Sequence, residues 1–170
     1  MTTSERTKPS ITAGERDMLE GWLDFHRETL AQKCAGLDDK QLRDVSAPPS
    51  ELTLLGLVRH MAEVERHWFR RILMNEDIAP LYYGEEDPDG DFHVTADDTW
   101  EQAHGDWQAE IARARELTAP LSLDELTQGA NSAGDPFNLR WIYVHMIEEY
   151  ARHNGHADLL RERIDGATGF

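Results

Sequence analysis

The stretch from Phe137 to Glu162, FNLRWIYVHMIEEYARHNGHADLLRE, constrains this chain more than any other. It carries helical periodicity throughout. Projected at about 100° per residue, Trp141, Ile142, Met146, Ala157, Leu159, Leu160 and Ile164 fall in one broad apolar sector. His145, Glu149, His153 and His156 fall in the same sector, with Glu149 and His153 near its middle. A helix that turns a carboxylate and several imidazoles toward its own core meets a burial cost of several kcal/mol unless something compensates them. A bound cation compensates them. Residues four apart are neighbours on a helix face, about 6 Å apart along the axis, so Glu149 and His153 can reach one ion. His145 and His153 are about 12 Å apart along the axis, too far to share an ion easily. The helix therefore supplies two ligands and requires a third from elsewhere.

The rest of the chain reads as three further helices and polar connectors. The first is expected over 13–35, with Met18, Leu19, Trp22, His26, Thr29 and Leu30 at helical spacing and Gly36 as its stop. His26 flanks that stripe as a partly covered polar group, the alternative being a group that faces a ligand. A second helix is expected from the Thr53 N-cap to about Asn75, with Leu54, Leu57, Val58, Met61, Val64, Trp68 and Ile72 as its stripe and His60 and His67 on its flank. A weak internal echo draws attention to His60: Thr53-Leu54 followed by His60-Met61 matches Asn138-Leu139 followed by His145-Met146. A third helix is expected from Ala96 or Asp97 to Thr118. Residues 76–94 form a long acidic connector, and 127–136 a Gly/Asn/Ser/Asp loop; both are candidate lids by composition. The connector does not follow the ligand spacing of an EF-hand. No strand pattern occurs. The expected fold is all-α, a four-helix bundle with long inter-helix connections, as one domain over residues 1–170 with a mobile segment at 1–12.

Charge and cysteine content exclude several functions. A net charge of -16 opposes nucleic acid, whose binding depends on phosphate neutralisation, and opposes anionic membranes. No apolar run reaches the length of a membrane span and the N-terminus has no signal-peptide core. With a single cysteine, Cys34, no intrachain disulfide can form; a cytoplasmic location is expected.

The motifs Leu139-Arg140-Trp141, His145-Met146-Ile147-Glu148-Glu149 and Ala151-Arg152-His153-Asn154-Gly155-His156-Ala157-Asp158, with the His60 helix and the Asp89-Gly90-Asp91-Phe92 loop in order, resemble the DinB-like superfamily. The nearer likeness is to its actinobacterial branch related to mycothiol-dependent maleylpyruvate isomerase. The resemblance spans nearly the whole chain, and its last-helix signature is the specific part. It implies a four-helix bundle holding a divalent metal, zinc or nickel, on His60, Glu149 and His153. Many DinB-like proteins have histidine where Glu149 stands, and the isomerase-like branch has glutamate. His156 then lies behind the ligands, orienting His153 or a bound water, and His145 serves in packing or support. The implied activity is thiol transfer or thiol-dependent isomerisation, with mycothiol as cosubstrate and a small electrophile as substrate. The cofactor brings the sulfur, so Cys34 has no catalytic part. Alternatives are a metal-dependent hydrolase and a stress-associated bundle that binds metal or a small ligand without turnover. A homodimer is a possible assembly, common among such bundles.

Overall fold

A computed structural model describes residues 6–169; the first five residues of the segment expected to be mobile lie outside the described residues. Four long helices form the molecule: α1 (Glu15–Cys34), α3 (Leu54–Glu65) with its continuation Arg66–Leu73, α4 (Trp100–Thr118) and α5 (Leu139–Asp165). A single-turn α2 (Asp39–Leu42) lies in the first connector. The only extended pairing among the described residues is an isolated bridge between Leu126 and Asn138. The all-α bundle expected from the sequence is the observed fold.

Side-chain caps set where the helices begin. Thr53 accepts from Gly56 N at 3.0 Å, Thr99 from Gln102 N at 3.3 Å and Asn138 from Trp141 N at 2.8 Å, each satisfying an otherwise unpaired first-turn amide. The Thr99 cap moves the start of α4 to Trp100, past the Ala96 or Asp97 expected from periodicity. α5 stops at Gly166, whose φ of 77° is the left-handed conformation that glycine adopts at low cost. One departure was not signalled by periodicity: beyond Glu65 the second long helix widens into π-helical turns over Arg66–Leu73. π turns are rare and cluster at functional sites.

The helices pack as α1 on α5 and α3 on α4. Leu30, Leu57, Met61, Ile142, Met146 and Tyr150 are fully buried between them. Leu159 and Trp141, assigned to the apolar sector of α5 from the sequence, are 62% and 44% exposed. The buried face of α5 is thus narrower than a helical wheel suggests, because its neighbours cover only part of it. His26 is a half-covered polar group, as expected, within 3.3 Å of Asn154 Nδ2.

A buried polar network joins one residue from each long helix. Arg27 (α1) donates from Nε and Nη2 to the two oxygens of Glu65 (α3) at 2.8 and 2.7 Å. Tyr150 (α5) donates to Glu65 Oε1 at 2.7 Å, and Trp107 (α4) donates to the Tyr150 hydroxyl at 2.7 Å. Burial alone would strip the proton from Arg27, but the charge and hydrogen bonds of Glu65 more than offset it, and the guanidinium is held above its usual value. Burial and the neighbouring Glu65 charge raise the Tyr150 hydroxyl in the same way, keeping it a donor.

Candidate metal centre

The triad named from the sequence comes together. His60 from α3 and Glu149 and His153 from α5 each present a ligand atom, and these atoms lie within 4.8 Å of one another. His153 is buried, and His60 and Glu149 are partly covered. His153 Nε2 is 3.6 Å from Glu149 Oε2, and the His60 and His153 rings lie 4.6 Å apart between centroids. Burial, reinforced by nearby His60, His156 and Arg152, pushes the His153 imidazole down to about 3. It is therefore neutral at any ordinary pH, the state in which an imidazole ligates a metal.

Two further residues fix the imidazoles. Asp91 Oδ2 is 2.7 Å from His60 Nδ1. With Nδ1 held by the carboxylate, Nε2 is the His60 nitrogen left to ligate, the arrangement common to metal-binding histidines. His156 Nδ1 is 3.3 Å from His153 Nδ1. A proton shared between these two nitrogens leaves a lone pair on His153 Nε2, which faces Glu149. His156 thus adjoins His153 through Nδ1.

Asp91 is 31 residues from His60 and no spacing rule links them. The signal available in the sequence was the Asp89-Gly90-Asp91-Phe92 motif, whose glycine has a steric cause. A Cβ on Gly90 would lie 2.5 Å from the Tyr82 carbonyl oxygen, so only glycine permits the fold of the loop. The helix cooperates at Gly56, where a Cβ would meet the Phe92 carbonyl at 3.1 Å. That close approach brings the Phe92 ring onto His60, stacked at 4.4 Å and 23°.

The acidic connector is tied down rather than free. Arg59 donates to the Gly90 carbonyl at 2.9 Å, pairs with Asp98 at 2.8 Å and lies over the Tyr82 ring at 4.5 Å. Glu63 accepts from Tyr82 N at 2.5 Å, and Tyr82 donates to Asp106 on α4 at 2.6 Å. These contacts make the Asp91–Phe92 end a wall of the site. The other candidate lid, 127–136, docks elsewhere: Gln128 and Gly129 donate to the Leu73 and Ile72 carbonyls at the end of the π-helical turns, both at 2.9 Å.

His145 is not a fourth member of the triad. Its Nε2 is 3.4 Å from Glu149 Oε1, on the opposite oxygen from His153, and its ring stacks on Trp141 at 4.9 Å. With Glu148 and Glu149 it forms a second acidic-imidazole group that shares Glu149. Cys34 is buried in the core, and burial pushes its thiol up to about 12. A thiol so held is not a nucleophile. No helix among the described residues is long and apolar enough to cross a membrane.

Comparison with known proteins agrees with the fold. A conserved protein from Enterococcus faecalis has a similar solved structure, with a TM-score of 0.60, 15% identity, and coverage of 88% of this chain and 96% of that one. At that identity the likeness extends to the fold alone. No curated protein matches the chain. The family model for mycothiol-S-transferase matches residues 18–166, from the first turn of α1 to the glycine that ends α5. The chain belongs to the mycothiol-S-transferase family.

Proposed function

We propose that the protein is a metal-dependent S-transferase that uses mycothiol, with His60, Glu149 and His153 holding a divalent ion, zinc or nickel. The observation that carries this reading is the convergence of the three donor atoms within 4.8 Å in a chain of this family. The donor set suits the group. Two imidazoles and a carboxylate match catalytic sites in which three protein ligands leave a position open. The carboxylate offsets one of the two charges of the ion, so one unit of positive charge remains for an anionic partner. A divalent ion bound there supplies stabilisation of the thiolate form of an incoming thiol.

The chain's own residues prepare that encounter. Asp91 holds the His60 proton on Nδ1, and His156 holds the His153 proton on Nδ1. Burial keeps His153 neutral so that its lone pair is always available. Phe92 covers one face of His60. Glu149 is engaged as a ligand and is not the base of a hydrolytic reaction. Cys34 takes no part, the sulfur arriving with the cosubstrate.

Metal analysis of protein purified without a histidine tag, paired with a mycothiol conjugation assay, tests the proposal. The wild type retains close to one divalent ion per chain, and His60→Ala loses the ion and the activity together. Conjugation that persists after the metal is removed overturns it.

A further inference from the structure

Glu149 is flanked by imidazoles on both of its oxygens. His153 Nε2 lies 3.6 Å from Oε2, and His145 Nε2 lies 3.4 Å from Oε1. Both separations are long for an N–H···O bond. They are close to the edge between two donors on one ion, about 3.0–3.4 Å when each donor is about 2.1 Å from the metal. The triad accounts for the Oε2 side. On the other side His145, Glu148 and Glu149 form a second group, whose donor atoms also lie within 4.8 Å of one another.

His145 is held in place from two directions. The Trp68 ring meets it at 4.6 Å and 65°, and Trp141 stacks on it at 4.9 Å and 17°. An imidazole packed between two indoles keeps its plane, with Nε2 on the Glu149 side. Glu148 is the outer member. Arg152 donates to its Oε1 at 2.5 Å, and its Oε2 lies 3.8 Å from His145 Nδ1. One oxygen of Glu148 is therefore left over by the arginine and turned toward the imidazole.

Resting on a loaded triad, we propose that His145, Glu148 and Glu149 form a second divalent-cation site, with Glu149 bridging the two ions through its two oxygens. The donors are one imidazole and two carboxylates, richer in oxygen than the triad, a set that suits manganese(II). This site is the weaker of the two. It shares the charge of Glu149 with the first ion, and its Glu148 is 46% exposed and paired with Arg152. Its ion therefore exchanges with solvent while the triad keeps its own. A second cation beside the first offers an oxygen of the electrophile a positive centre next to the bound thiol.

Manganese(II) titrated into the full chain as purified tests the assignment, with free manganese counted by electron paramagnetic resonance and retained metal measured in the same samples. Wild type reaches two divalent ions per chain. His145→Ala binds the added manganese about 100-fold more weakly and Glu148→Gln, a change on an exposed side chain, about tenfold more weakly; both keep the retained ion. Arg152→Ala binds manganese about threefold more tightly, because Glu148 is released from its ion pair. Protein stripped by chelation and reloaded with two manganese ions gives a spin-coupled spectrum. No uptake beyond the retained ion overturns the proposal. So does uptake that is equal in wild type, His145→Ala and Glu148→Gln, which marks diffuse attraction to a surface of net charge -16. Two uncoupled manganese signals overturn the bridge. If the purified chain retains no ion and His60→Ala leaves all metal uptake unchanged, while uptake still depends on His145 and Glu148, the triad reading falls and the cation site at His145 stands.

Discussion

Two carboxylates on the long helices have opposite fates. Glu65 on α3 is fully buried, and its oxygens are filled by a two-pronged arginine and a tyrosine hydroxyl at 2.7 to 2.8 Å. Glu149 on α5 sits one residue before Tyr150 of that same network, yet faces the other way. Among the described residues its oxygens lie nearest imidazole nitrogens, at 3.4 and 3.6 Å, beyond good hydrogen-bond length. Around Glu65 every charge has its partner within the protein, so nothing further is needed and nothing can enter. Around Glu149 and the two histidines, donors converge without satisfying one another. The difference separates polar groups that hold a bundle together from polar groups kept ready for something else.

Breaking one carboxylate at a time sharpens the contrast. The largest expected effect is on the closed side. Glu65→Ala leaves Arg27 charged and buried, and the Tyr150 hydroxyl without its acceptor. It should lower unfolding free energy by about 3–5 kcal/mol, measured by chemical denaturation. If the loss is no larger than that of an exposed pair, the network is not what registers the four helices.

On the open side, support should matter to the ion more than to the fold. Asp91→Asn keeps the size of the group but removes the charge that orients His60. It should weaken metal affinity about 10–100-fold with a small change in the stability of the metal-free protein. An unchanged affinity would show that Phe92 stacking alone positions the ring.

The smallest expected effect is at Cys34, which belongs to neither region. With its thiol raised to about 12, it should resist iodoacetamide at pH 8 in the native state and react once denatured. In the conjugation assay Cys34→Ala should match the wild type. Loss of turnover without loss of stability would give the protein's own sulfur a role that its burial denies.

Phe92 and Trp68 show where legibility stopped. Both were visible as residues, one in a motif and one in an apolar stripe, but neither could be assigned a wall of the site. Phe92 reaches His60 because Gly56 and Gly90 let two backbones approach closely, and Trp68 reaches His145 from a helix that has widened into π turns. Periodicity assumes a uniform α-helix and does not report either event. The exposed Leu159 has the same origin: a helical wheel ranks positions by hydrophobicity, whereas exposure depends on which neighbours arrive.

By itself the sequence determined the helical class, the cap at Thr53, and the spacing that sets Glu149 and His153 on one face, because each depends on residues within one or two turns of each other. The third member of the triad, His60, was reached through family likeness, since contact between separate helices leaves no local spacing to read. Only the tertiary structure decided that Asp91 orients His60, that Arg27, Glu65, Trp107 and Tyr150 join into one buried network, and that Trp68 packs on His145 beside Glu149. Those contacts are made between distant segments by packing, and chain-local geometry carries no record of them.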